Sequence, residues 1–128
     1  MSTKSNFAIE FRKAFDQPVY GPFNVARAML QSRLIGEEAA EFSAANHLAC
    51  EELTNKQAKA DALKELADLV YVCYQYAAAV GWDLDIAYNR VHFSNMSKLG
   101  PDGKPIYRED GKVLKGPNYK EPSLTDLV

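Results

Sequence analysis

Five carboxylates stand at spacings that allow them to act together: Glu37, Glu38 and Glu41 in "GEEAAE", and Glu65 and Asp68 in "ELAD". Carboxylates this crowded repel one another, so the first trio calls for something positive among them. At about 100° per residue, with Leu30 as zero, Leu34 lies near +40°, Glu37 near -20° and Glu41 near +20°, so both carboxylates share a leucine stripe. Glu38, near +80°, sits at its edge. The trio is therefore expected to face inward or into a cleft. In the second segment, with Asp61 as zero, Glu65 falls near +40° and Asp68 near -20°, giving one acidic stripe. It runs into "LADLVYVCYQYAAAV", where Asp68 and Gln75 are the only strongly polar residues, so Asp68 is expected to be buried.

An isolated ionised carboxylate in an interior costs several kcal/mol, so such a group is protonated, salt-bridged or bound to a metal. Protonation cannot deal with all five. Arg27, Arg33 and Lys64 can pair with one or two, and a solvated acidic face is a further alternative that conflicts with the leucine phase. The favoured reading is metal: an all-oxygen ligand set suits Mg²⁺ or Mn²⁺, which keep several waters and commonly meet phosphate-bearing substrates. A carboxylate-bridged iron pair in a helical bundle needs Glu-x-x-His. Ala44 stands three residues before His47 and Asn89 three before His92, so neither histidine supplies that motif. Both read as structural.

The elements that must hold these groups are helical. Residues 24–98 contain only Gly36 and Gly81 and no Pro, whereas the last thirty residues concentrate both types. A first helix is expected over about 4–15, with Phe7, Phe11 and Phe15 on one face before Pro18. A second runs from an Asn24 cap to about His47 or Cys50, and a third from a Thr54 or Asn55 cap to a Gly81 stop. Asp83 caps a fourth that ends near Gly100. The fold class expected is all-α, a bundle of four to five helices in one domain spanning 1–128, with a body over about 4–99 and a tail over 100–128. In the tail, "IYREDGKVL" carries Asp-Gly between apolar segments, which predicts a β-hairpin with a type I′ turn. Ile106, Tyr107, Val113, Leu114 and Tyr119 suggest that the tail packs; the alternative is an unpacked terminus.

Bulk properties narrow the function classes. The 128 residues carry 15 basic and 17 acidic side chains, a net charge of -2, which offers no global basic field for nucleic acid or membrane binding. No signal peptide or transmembrane run is legible, and a cytoplasmic protein is expected, in a bacterium or a phage-infected host cell. Cys50 and Cys73 show no CxxC spacing and read as two buried, reduced thiols.

"EEAAE" followed after 23 residues by "ELAD" resembles the EExxE…ExxD signature of the MazG-like all-α nucleoside triphosphate pyrophosphohydrolases. "FRKAFDQPV", "RLIGEEAAEF", "ELADLVYVCY" and "VHFSNMSKLGPDGKPIYREDGKVLKGPNY" are similar to the phosphoribosyl-ATP pyrophosphohydrolase-like subgroup, so the resemblance covers nearly the whole chain. In such enzymes the carboxylates hold two or three Mg²⁺ or Mn²⁺ ions, and water attacks the α-phosphorus to give a nucleoside monophosphate and pyrophosphate. The resemblance implies Glu38, Glu41, Glu65 and Asp68 as core ligands, and Glu37 as a further ligand or the general base, with Glu37 and Glu38 as the catalytic pair. It adds Asn95 and Lys98, expected on one face of the fourth helix, for phosphate and sugar. Lys115 and Tyr119 would close over the triphosphate. Tyr20 and Phe23 border the base, with core packing the plainer reading of Phe23.

No cyclohydrolase segment is legible, which points to a nucleotide-pool enzyme. Resemblance to phage MazZ-type proteins makes dGTP or GTP the leading substrate, with phosphoribosyl-ATP, dUTP, dCTP or another (d)NTP as alternatives. Family bundles assemble as homodimers or homotetramers, and the all-round apolar third helix fits a subunit interface. A non-enzymatic alternative is a phage interaction module whose acidic cluster binds a cation for stability only.

Overall fold

The computed structural model describes residues 3–128, and the chain divides into two compact units, one running through Trp82 and the other Asp83–Val128. The first unit holds α1 (Lys4–Ala14), α2 (Val25–Glu51) and α3 (Lys56–Val80). Each begins on a side chain that accepts an orphan N–H: Thr3 from Asn6 at 3.1 Å, Asn24 from Arg27 at 3.1 Å and Asn55 from Ala58 at 3.0 Å. Uninterrupted by Pro, α2 extends for 27 residues, about 40 Å at the helical rise. The short link between α2 and α3 makes them antiparallel neighbours, and α1 packs against α3.

The α2–α3 seam is built from small and polar residues. On α2 the inward face holds Ala28, Gln31, Leu34, Ile35, Glu38, Phe42, Ala45 and Ala49, at intervals of three and four. On α3 it runs through Ala58, Ala62, Glu65, Asp68, Leu69, Val72 and Gln75 to the buried Ala77, Ala78, Ala79 and Val80. Among the described residues no large side chain is fully buried, while Leu63, Leu66, Val70 and Tyr71 of α3 are exposed. The expectation that α3 is buried all round therefore does not hold within this chain. Nor are both thiols buried: Cys50 is exposed, off the seam of α2, and Cys73 is half-buried.

On α1 the inward residues are Ala8 and Arg12; Phe11 meets Tyr71 edge to face at 5.7 Å and Phe15 at 4.5 Å. The following loop folds back on the end of α3, where the Tyr20 N–H donates to the Ala78 carbonyl at 3.1 Å and Phe23 stacks on Trp82 at 5.7 Å. Two residues of this loop, Asp16 and Tyr20, hold positive φ angles of 54° and 55°. Gly81 ends α3 in the left-handed region, and a Cβ there would lie 2.9 Å from the Gly21 carbonyl oxygen.

The second unit holds α4 (Leu84–Met96), capped by Asp83, and a tail ending in a 3₁₀ turn, Thr125–Leu127. α4 stops at Met96 rather than near Gly100 because the next backbone groups bond to the tail: the Lys98 carbonyl accepts from Gly116 N–H at 2.8 Å, and Gly100 N–H donates to Lys104 at 2.8 Å. Ser94 Oγ donates to the Lys120 carbonyl at 2.7 Å, and Arg90 forks onto Asp126 at 2.6 and 3.0 Å. Hydrogen bonds more than burial secure the tail, since Ile106, Tyr107, Val113 and Leu114 stay exposed.

The expected hairpin is reduced to one antiparallel bridge between Tyr107 and Val113, with no strand among the described residues. Its turn is not type I′, which needs positive φ at two successive residues; only Gly111 takes it, at 88°. The Gly111 N–H reaches the Arg108 carbonyl and the Arg108 N–H the Lys112 carbonyl, the pattern of a three-residue loop with a bulged glycine. The Asp110 carboxylate, held by the Arg108 guanidinium and the Lys112 N–H, fixes that geometry. Among the described residues no helix is long and apolar enough to cross a membrane.

Gly81→Ala forces a Cβ into both a left-handed φ and the Gly21 carbonyl. It should lower stability by about 1–2 kcal/mol in denaturant unfolding; an unchanged midpoint would contradict this account of the α3 stop.

Candidate metal centre

Antiparallel pairing of α2 and α3 brings Glu38 from one helix against Glu65 and Asp68 from the other. One oxygen from each lies within 4.8 Å of the other two. All three residues are half-buried, and Glu38 Oε2 and Glu65 Oε2 are buried without a hydrogen-bond partner. Orphaned acceptors of this kind carry a desolvation penalty that a bound cation would relieve.

The local charge balance is negative. Lys64 Nζ lies 2.7 Å from Asp68 Oδ2 and 3.4 Å from Glu65 Oε1, and these carboxylates hold its ammonium pKa above the ordinary lysine value, Asp68 foremost. Of the three cations weighed as partners, Lys64 alone forms ion pairs among the described residues, and being exposed it contributes little. Burial pushes the Glu38 carboxyl above the usual range, with hydrogen bonding to Glu41 and the charges of Glu41, Asp68 and Glu65 adding to it. An all-oxygen, convergent and under-neutralised donor set fits a hard divalent cation.

Several expected orientations need correction. Asp68 is not buried: its side chain is 37% exposed and ion-paired. Glu37 and Glu41 do not point inward; both are exposed, and Glu38, placed at the edge of the stripe, is the residue of the trio that enters the seam. The error lies in the reference, because Leu30 and Leu48 are themselves 46% exposed. Phased on the buried Gln31, seven residues earlier, Glu38 falls within about 20° of the inward face. Glu41 remains beside Glu38, whereas Glu37 stands outside the group.

In the second unit, Asn95 is exposed at the end of α4 and Lys98 lies past that end, not on the helix face as expected; its N–H donates to the Asn95 carbonyl at 3.1 Å. Lys115 Nζ sits 4.7 Å from the centre of the Tyr119 ring, so these two form a pair. Tyr20 and Phe23 are both exposed, Phe23 on Trp82. His47 pairs with Glu51 at 3.0 Å, away from the carboxylate group. The sequence analysis does not single out Arg12 of α1 or Gln31 of α2, both of which are buried, Arg12 against Gln75; the available signal is Gln75, a polar residue in the apolar run of α3.

The Glu38 shift has a testable sign. A carboxyl whose folded pKa is raised contributes stability that is present below its unfolded pKa and lost as pH rises through the folded value. In chelator, the melting temperature of Glu38→Gln minus that of the wild type should therefore increase from about pH 5 to about pH 8. A pH-independent difference would contradict a Glu38 carboxyl raised by burial and its acidic neighbours.

A family model described as phosphoribosyl-ATP pyrophosphohydrolase matches residues 8–95, about two thirds of the chain, and that stretch contains all three clustered carboxylates. A comparison with curated proteins finds no match. With its helical architecture and the matched residues together, the chain belongs to the phosphoribosyl-ATP pyrophosphohydrolase family, part of the MazG-like all-α NTP pyrophosphohydrolase superfamily.

Proposed function

We propose that this single MazG-like domain is a metal-dependent nucleoside triphosphate pyrophosphohydrolase that converts a (d)NTP and water to a (d)NMP and pyrophosphate. The observation that carries this reading is the convergence of Glu38, Glu65 and Asp68 with two buried, unpartnered oxygens, in a chain of a pyrophosphohydrolase family. Glu38, Glu41, Glu65 and Asp68 would hold Mg²⁺ or Mn²⁺, two or three ions in all. Bound there, the ions would offset negative charge on the phosphates and make water more acidic.

The chain's own groups do the rest. Glu37, exposed and outside the cluster, can orient a water and take its proton, while Glu38 presents an oxygen to the cation. As the water oxygen bonds to the α-phosphorus, the bond from that phosphorus to the bridging oxygen breaks and pyrophosphate leaves. Asn95, Lys98, Lys115 and Tyr119, which the resemblance assigns to phosphate and sugar, belong to the second unit, where the Lys98 carbonyl accepts from Gly116 N–H and Lys115 lies over the Tyr119 ring. The leading substrate is dGTP or GTP, and phosphoribosyl-ATP is consistent with the family.

A homodimer or homotetramer would cover the outward side of α3. Support comes from the exposed Leu63, Leu66, Val70 and Tyr71 and from an apolar groove of about 410 Å³ that they form with Phe7 of α1.

Incubation with Mn²⁺ and each of the common (d)NTPs or phosphoribosyl-ATP should yield monophosphate-level product and pyrophosphate from at least one. Release of single phosphates, or of nothing, would end this reading. Asp68→Asn should abolish turnover with the melting temperature of the metal-free protein retained, and wild-type turnover in that variant would remove the metal assignment. In sedimentation, Val70→Glu should shift the protein toward monomer; a wild-type protein that is already monomeric would contradict the assembly.

A further inference from the structure

A second polar cluster lies on the α2–α3 seam, seven residues before Glu38 on α2 and seven after Asp68 on α3, roughly 10 Å away along the helices. It comprises Arg12, Gln31 and Gln75, each more than nine-tenths buried. They line a cavity of about 360 Å³ together with Phe11, Leu30, Leu34, Tyr71 and Val72. Arg12 Nε donates to the Pro18 carbonyl at 2.5 Å and Arg12 Nη1 to Gln75 Oε1 at 3.3 Å; Gln75 Nε2 donates to the Ala8 carbonyl at 3.4 Å. That leaves the Nη2 side of the guanidinium without a partner among the described residues. No carboxylate pairs with Arg12 among those residues, and Gln31 Oε1 is buried with no hydrogen bond at all.

A buried cation without a counter-charge and a buried amide without a partner are both costly, and both border the same cavity. Arg12 can only donate, so whatever fills the space must present an acceptor to it; Gln31 Oε1 needs an N–H. Apart from Gln17, the remaining walls are aliphatic and aromatic and none carries a charge, which suits a neutral planar ring better than a phosphate. The separation from the carboxylates is about the span of a nucleoside monophosphate.

We infer that this cavity is the nucleobase site and that it selects bases carrying a carbonyl beside a ring N–H, as in guanine and uracil. The carbonyl oxygen accepts from Arg12 and the ring N–H donates to Gln31 Oε1. Adenine and cytosine present an amino donor where Arg12 needs an acceptor. This inference rests on the reading of the carboxylate group as the site of hydrolysis, and it concerns binding that needs no hydrolysis.

The test is calorimetric titration of the protein in Mn²⁺ with GMP, UMP, AMP and CMP, none of which carries the anhydride bond to be hydrolysed. GMP and UMP should bind roughly tenfold or more tightly than AMP and CMP. Gln31→Leu, which keeps the volume and removes the orphaned amide, should abolish that preference while the melting temperature stays level or rises. With Mn²⁺, the same variant should raise KM for GTP or UTP roughly tenfold with kcat little changed. Equal binding of the four nucleotides, no binding of any, or an undiminished preference in Gln31→Leu would overturn the assignment. A preference for GMP and UMP in a protein that cleaves no triphosphate would uphold the base site and reject the hydrolysis reading instead.

Discussion

The register in which α2 lies antiparallel to α3 is the constraint on which the rest of this structure depends. It sets Glu38 opposite Glu65 and Asp68, and the same seam, seven residues along each helix, carries Gln31 and Gln75. Small residues make that approach possible: Ala28, Ala45 and Ala49 on one helix, and Ala58 and Ala62 on the other, leave the helix axes free to come close. A slide of one residue would turn each inward group by about 100° and disperse the carboxylates. Packing and chemistry are therefore not separable here, because the contact that gives the helices a common face also forces like charges together.

What could be read in the sequence followed the range of the interactions involved. Helix limits depend on neighbours within three or four residues, and Asn24, Asn55, Asp83 and Gly81 take the capping positions their types predict. Facing direction depends on partners far along the chain, and there apolar identity misled. Leu30, Leu48, Leu66 and Val70 are large and hydrophobic yet point outward, while Gln31, Glu38 and Gln75 point inward. A phase anchored on leucines inherits that inversion: it sets Glu37 and Glu41 on the inward stripe and Glu38 at its edge, whereas Glu38 is the one that enters the seam. The burial expected of Asp68 failed for the same reason, since its apolar neighbours are not themselves shielded. The tail turn differs for a local reason: Asp110 is engaged by Arg108 and Lys112, so it does not adopt the conformation an Asp-Gly pair usually takes.

The two buried clusters of the first unit are electrically opposite. Around Glu38 there are several carboxylates and one exposed ammonium; around Arg12 there is a guanidinium, further disfavoured by burial and by Arg27, and no carboxylate among the described residues. Neither cluster is neutralised by the described residues of the unit. An elongated ligand with a cation-bearing anionic end and a neutral, carbonyl-bearing end would satisfy both, and the seam supplies the spacing between them.

Trp82, the chain's single tryptophan, is stacked on Phe23 and 5.6 Å from Tyr76. Its ring therefore rests against the end of the same irregular loop that supplies the Pro18 carbonyl to Arg12. The intensity and wavelength of its emission would register whether that loop is seated, with no label added and no second indole to dilute the signal.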